Sequence, residues 1–171
     1  MTAYRHWADK EFELDCHFQY PDRKLWFKPK GLWFEVDGDW VRWCKSDMPD
    51  WLEERYKVPY GVEFDPDKVL WLKTARDIDD FTAMYAVPLF PERLDFRSTT
   101  IAWARLTEAY AGLVIAPYCW RRRMSEHTLW YYGWDCASGC IWDLSVITKF
   151  ERVEGVTDGR IAKANEEPAA G

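Results

Sequence analysis

Long apolar runs are missing from this sequence. No stretch approaches the ~20 apolar residues that a membrane-crossing helix needs. The opening segment, Met1 to Lys10, is polar and has no leader-like apolar core. Histidine is scarce, with three residues, and the five cysteines are scattered at Cys16, Cys44, Cys119, Cys136 and Cys140. An odd, dispersed set reads as reduced thiols rather than a disulfide framework, so a cytoplasmic protein is expected. Cys136 and Cys140 stand four apart and His127 is the only nearby soft partner. No second pair has zinc-ligand spacing, so no metal site is expected. Positive charge is also short: 23 Lys and Arg face 29 Asp and Glu, a net −6. That balance excludes a surface that coats nucleic acid non-specifically. P-loop, GxGxxG, HExxH and nucleophile-elbow patterns are absent.

What the sequence has is aromatic mass. It carries twelve Trp in 171 residues, within an ordinary 48% apolar and 30% charged composition. The length supports one domain with a sizeable core. Trp and Tyr join a large apolar area to a polar tip, so they suit cores and flat ligand pockets alike. Most of the twelve belong in the core, and two or three are expected to line a groove that stacks a planar ring.

Pattern along the chain predicts strands at Ala3–Trp7, Leu32–Val36, Val58–Phe64 and Val69–Leu72, the last one central because it is apolar throughout. Alternation also suggests an extended segment over Phe12–Phe18. Asp37-Gly38 marks a turn, and Asp39 is the expected cap of a helix bearing Trp40 and Trp43. A further helix is expected over Pro49–Tyr56. Thr74, with Asp77 three residues on, opens another through Tyr85. A third runs from Ser98 or Thr99 past Trp103, Leu106 and Tyr110, with Gly112 just beyond its end. Leu113–Ala116 reads as a buried strand and Thr128–Trp134 as extended. Cys140–Trp142 and Val146–Phe150 close the pattern. Strands at both ends with helices grouped between them indicate α+β. Residues 1–155 are taken as one globular domain, and 156–171, poor in aromatics, as a flexible tail.

Four local groups carry chemical potential. Arg5-His6-Trp7 places an imidazole among aromatics; on a strand only one of Arg5 and His6 can face a given pocket. Lys28-Pro29-Lys30-Gly31 sets two cations beside a rigid Pro and a permissive Gly, either a turn or a phosphate holder. Asp135, between Trp134 and Cys136, is a carboxylate in an aromatic segment. It is either a turn cap or a tuned acid. Arg121-Arg122-Arg123, after Trp120, is either a solvated turn or a phosphate clamp, because guanidinium forks match phosphate oxygens.

His6-Trp7-Ala8, Gly31-Leu32-Trp33-Phe34, Tyr110-Ala111-Gly112-Leu113 and the closing Asp143–Ile147 together resemble the ADP-ribosyltransferase superfamily. The likeness is to the branch with diphtheria-like toxins, DNA-modifying toxins and RNA 2′-phosphotransferases. It spans roughly residues 4 to 150. KPKGLWF and WDCASGCIW are similar to segments of small bacterial and phage proteins. The resemblance implies a split mixed sheet with helices packed between and around it and a central cleft. It implies NAD as substrate, with ADP-ribose transferred to an acceptor. His6, Trp7, Gly31, Leu32, Trp33 and Tyr110 would hold the dinucleotide. Glu35 stands where that family has a small hydroxyl, and Ser138 falls where its catalytic Glu is expected. Asp135, the nearest acid, would then act with His6 in catalysis. The alternative is a catalytically silent module that binds a nucleotide or occludes a partner. A nucleic-acid acceptor would be contacted through Arg121, Arg122 and Arg123.

Overall fold

Branched and aromatic segments bounded by turn residues form most of the strands in the computed structural model, which describes residues 2–21, 27–92, 99–154, 156–157 and 160–161. In chain order the elements are β1 (Tyr4–Ala8), β2 (Leu32–Val36), α1 (Asp39–Asp47), α2 (Pro49–Glu54), β3 (Val58–Phe64) and β4 (Val69–Leu72). They continue with α3 (Ala75–Tyr85), β5 (Ala86–Pro88), β6 (Thr99–Ile101), α4 (Trp103–Thr107), β7 (Gly112–Ile115), α5 (Trp120–Arg123), β8 (Ser138–Ile141) and β9 (Ile147–Arg152). Seven strands join one sheet in the order β4-β7-β8-β2-β1-β3-β9. Only β4 and β7 run parallel; the other neighbours are antiparallel. β5 and β6 pair separately. The class is α+β, as the element pattern indicates.

The sheet has a weak seam. β1 pairs with β3 over four residues, Arg5↔Gly61 to Ala8↔Val58, but with β2 only at Tyr4↔Val36 and Arg5↔Glu35. Beyond that point the Trp33 carbonyl accepts from the His6 ring at 2.7 Å. A side chain thus takes over where the main-chain ladder stops.

Both faces of the sheet are covered. Leu32, Phe34, Val62, Val114, Ile141 and Ile147 form the core of one face. On the other, Leu72, Leu113, Ile115, Trp130 and Trp134 pack with α3 and α4. A smaller cluster of Trp7, Val41, Cys44 and Leu52 lies under α1 and α2. Asp37 and Gly38 both have positive φ, 53° and 78°, which makes the sharp turn from β2 into α1.

Several expectations change. β4 is an edge strand, not a central one. It is apolar throughout because Val69 faces one core and Leu72 the other, and burial on two faces does not require a neighbour on each side. Thr99–Ile101 is strand, so the helix shrinks to α4, and Gly112 opens β7 rather than closing a helix; Ser98 lies outside the described residues. Thr128–Trp134 is not extended: Glu126–Gly133 winds as 3-10 turns, because Trp130 and Tyr131 are drawn fully into the core. Phe12–Phe18 pairs with no strand among the described residues. Asp39 does not cap α1; Gly38 holds that position without a side-chain bond. In the proposed tail, Val156–Thr157 and Arg160–Ile161 form a short antiparallel ribbon, and the rest lies outside the described residues.

Candidate functional site

Strand alternation at the seam sorts the candidate residues. Tyr4 and His6 fall on one face of β1, and Arg5 and Trp7 on the other. On β2, Trp33 and Glu35 face the Arg5–Trp7 side. There a cavity of about 400 Å³ opens between the sheet, α1, α2 and the segment after the 3-10 turns. Its aromatic walls are Trp7, Trp33, Trp40, Trp43, Trp51 and Tyr56. Trp40 and Trp43 are stacked at 5.0 Å, and Tyr56 meets Trp40 edge-on at 5.5 Å. Trp33, Trp40, Trp43 and Trp51 stay half-buried, whereas Trp130 and Trp134 are sealed in the core at 0% exposure. Trp43 Nε1 is buried and has no hydrogen-bond partner among the described residues. Sequence composition suggested two or three such Trp; five line this space.

Two carboxylates stand on the cavity wall, held differently. Glu35 is 2% exposed. Its Oε1 accepts from Trp7 Nε1 at 2.9 Å, its Oε2 accepts from the Val41 main-chain N–H at 3.2 Å, and Arg5 Nη1 lies 3.8 Å away. Glu35 therefore serves the open N-terminus of α1, which its own first residues leave uncapped. Burial pushes its carboxyl above the usual range, while Trp7, the Val41 N–H and Arg5 pull it back. Asp135 accepts from Arg123 Nη2 at 3.0 Å through Oδ1, and Lys28 Nζ lies 3.7 Å from Oδ2. Lys28 also sits over the Trp33 ring, 5.0 Å from its centroid. Burial raises the Asp135 carboxyl as well, opposed by Lys28 and Arg123.

His6 lines the same cavity as Trp33 and Asp135, while its ring packs among Phe12, Tyr60 and Phe150 on the opposite face of β1. The reason is register: Arg5 lies opposite Glu35, so His6 falls opposite Phe34, on Phe34's face. Of Arg5 and His6, it is Arg5 that faces the tryptophans. Because Trp33 offers a carbonyl, His6 Nδ1 must carry the proton, and burial lowers the imidazole below its usual range. With Phe18, Tyr20, Gly31 and Leu32, His6 lines a second space of about 300 Å³. Of the predicted site residues, Trp7, Trp33 and Asp135 line the first space, Gly31 and Leu32 the second, and His6 both.

Comparison with known proteins adds no identity. No protein-family model, curated protein or solved structure matches this chain.

The remaining candidates lie elsewhere. Tyr110 packs at the far core, where its carbonyl accepts from Trp142 Nε1 at 2.6 Å. The three arginines of α5 diverge. Arg121 is exposed, Arg122 forks onto Asp79 through two bonds of 2.6 Å, and Arg123 takes Asp135. They do not form one clamp. Cys136 lines the cavity, but burial pushes its thiol up to about 12, so no thiolate forms at neutral pH. Among the described residues, no group of three His, Cys, Asp or Glu side chains could hold a metal ion. No described helix is long and apolar enough to cross a membrane.

Sequence reasoning missed Trp40, Trp43, Trp51 and Tyr56 as site residues. Trp40 and Trp43 read only as one side of a helix, and Trp51 and Tyr56 only as parts of the next. A signal was present in the crowding of aromatics on two short consecutive helices, more than so small a face can bury.

Proposed function

We propose that this chain binds a nucleotide of the NAD type in its tryptophan-lined cavity, on an ADP-ribosyltransferase-like sheet whose split falls at the β1–β2 seam. The observation that carries this reading is the set of half-buried indoles facing a shared space while other tryptophans are fully sealed. Indole faces suit a flat ring, and a single unpartnered donor, Trp43 Nε1, suits a carbonyl or hydroxyl oxygen. A volume of about 400 Å³ falls at the lower end of small-molecule sites, room for one ring and its sugar. Binding is favoured over transfer because both wall carboxylates are already engaged by donors and cations.

Transfer of ADP-ribose is the second reading. Asp135 favours it, as an acid beside ring-stacking walls where positive charge would develop. The acceptor would be a nucleic acid, a protein or a small molecule.

Ligand-induced stabilisation tests binding. Millimolar NAD is expected to raise the melting temperature, since it binds the native chain alone. Trp40→Ala with Trp43→Ala is expected to abolish the shift. No shift with NAD, ADP-ribose or nicotinamide rejects the nucleotide reading. Asp135→Asn then separates the two activities. A drop of about two orders of magnitude in NAD hydrolysis supports transfer through Asp135; no NAD hydrolysis by the unaltered chain supports binding alone.

A further inference from the structure

Two sequence motifs with phosphate-holding chemistry lie 95 positions apart, at Lys28 and at Arg123. The fold brings one cation from each onto a single carboxylate. Arg123 Nη2 reaches Oδ1 of Asp135 at 3.0 Å, and Lys28 Nζ stands 3.7 Å from Oδ2. The two cations address different oxygens of one anion, an arrangement a tetrahedral anion can bridge equally well. The hold on Asp135 is incomplete. At 3.7 Å the Lys28 contact is the longer of the two. These side chains are 20%, 21% and 35% exposed for Arg123, Asp135 and Lys28. They are dry enough for charge to count and open enough for exchange with solvent. Lys28, Arg5 and Asp135 line the tryptophan cavity, and Arg123 reaches it through its bond to Asp135. Glu35 lines the cavity as well, and Asp47 acts on Asp135 from nearby, so the cations Lys28, Arg123 and Arg5 stand among carboxylates in a chain of net −6.

We propose that Lys28 and Arg123 form a phosphate subsite of the tryptophan cavity, with Asp135 as the resident counter-anion that an incoming nucleotide phosphate displaces. This rests on the nucleotide reading and names where the ligand's phosphate sits. Asp135 then works against binding in the free protein and sets the affinity of the site. Guanidinium and ammonium play different parts: Arg123 supplies directed donors, and Lys28 a mobile point charge that can leave the Trp33 face.

Calorimetric titration of the full chain with inorganic pyrophosphate at low salt tests the subsite without the ring. Asp135→Asn is expected to tighten pyrophosphate binding about tenfold. Adding Lys28→Gln or Arg123→Gln is expected to remove that gain. Weaker or unchanged binding in Asp135→Asn overturns the proposal. Should that variant fail to fold, the indole ¹H–¹⁵N signal of Trp33 in the unaltered chain gives a second readout. Pyrophosphate that displaces Lys28 shifts it, and an unmoved Trp33 signal overturns the proposal. A short single-stranded oligonucleotide that binds where pyrophosphate does not also overturns it. Pyrophosphate bound as expected, with no stabilisation by NAD, leaves the subsite standing and rejects the nucleotide reading instead.

Discussion

Glu35 illustrates how one side chain acquires a role from its surroundings. A lone buried carboxylate is costly, but this one meets an indole N–H, a helix-terminal N–H and a nearby guanidinium. Truncation leaves those donors without a partner in a dry site. Glu35→Ala is therefore expected to lower stability by about 3 kcal/mol or more in urea unfolding; a loss below about 1 kcal/mol refutes the capping role. Its pH behaviour follows from burial. The folded chain holds the Glu35 proton more tightly than the unfolded chain, where the ordinary value is 4.5. Over the window from that value up to the raised folded one, the group's contribution to stability falls as pH rises. Glu35→Gln is expected to flatten this slope, as measured by the urea midpoint against pH. Lys28, Arg123 and Asp135 teach the complementary lesson at the same scale. Each was ambiguous as a member of its own motif, and each gains meaning from the other two.

At the scale of elements, short-range chemistry places some boundaries sharply. Thr74 accepts from the Asp77 N–H at 3.1 Å, and Asp77 accepts in return from Thr74 N at 2.9 Å, a complete capping box. Asp37-Gly38 makes its turn as the dipeptide predicts. Gly31 shows a different constraint. A Cβ there would sit 2.5 Å from both Cys140 Sγ and the Ile141 carbonyl oxygen. The entry to β2 thus needs glycine for close approach to β8, whatever it does for a ligand. Gly31→Ala is expected to destabilise by about 1–3 kcal/mol, read as a lower thermal midpoint; an unshifted midpoint refutes the close approach. The 3-10 segment Glu126–Gly133 goes the other way. Its aromatic run favours strand locally, yet burying Trp130 and Tyr131 outweighs that preference.

Across the whole molecule, the shortest ladder in the seven-stranded sheet joins β1 to β2. β1 and β2 share two ladder pairs, supplemented by the bond from His6 to the Trp33 carbonyl. His6→Ala is expected to speed amide hydrogen exchange along β1 and β2 while leaving β7 and β8 protected. Uniform acceleration across the sheet would refute a local seam. His6 also contributes an acid-side sensitivity. Burial lowers its folded value below 6.5, so the folded chain binds that proton less tightly than the unfolded chain. Its contribution to stability is intact above 6.5 and is lost as pH falls below it. His6→Gln, which keeps a donor for Trp33 but does not titrate, is expected to reduce the acid-side fall of the thermal midpoint.

Local pattern was enough for the α+β class, the capping box of α3, the turn at Asp37-Gly38 and the course of β1, β2, β3 and β4. These depend on alternation, caps and turn residues, which act over a few positions. It also marked Asp135, Lys28 and Arg121–Arg123 as chemically loaded. Tertiary structure alone decided the rest. Strand order made β4 an edge, core demand wound the 128–134 aromatics into turns, and register sent His6 to one face and Arg5 to the other. A shift of one residue in β1–β2 pairing would exchange those faces, and nothing local in Arg5-His6-Trp7 sets that register. The joining of Lys28 to Arg123 across Asp135 has the same origin. Contacts between residues 95 positions apart are fixed by how whole elements pack, and a linear pattern carries no distance between them.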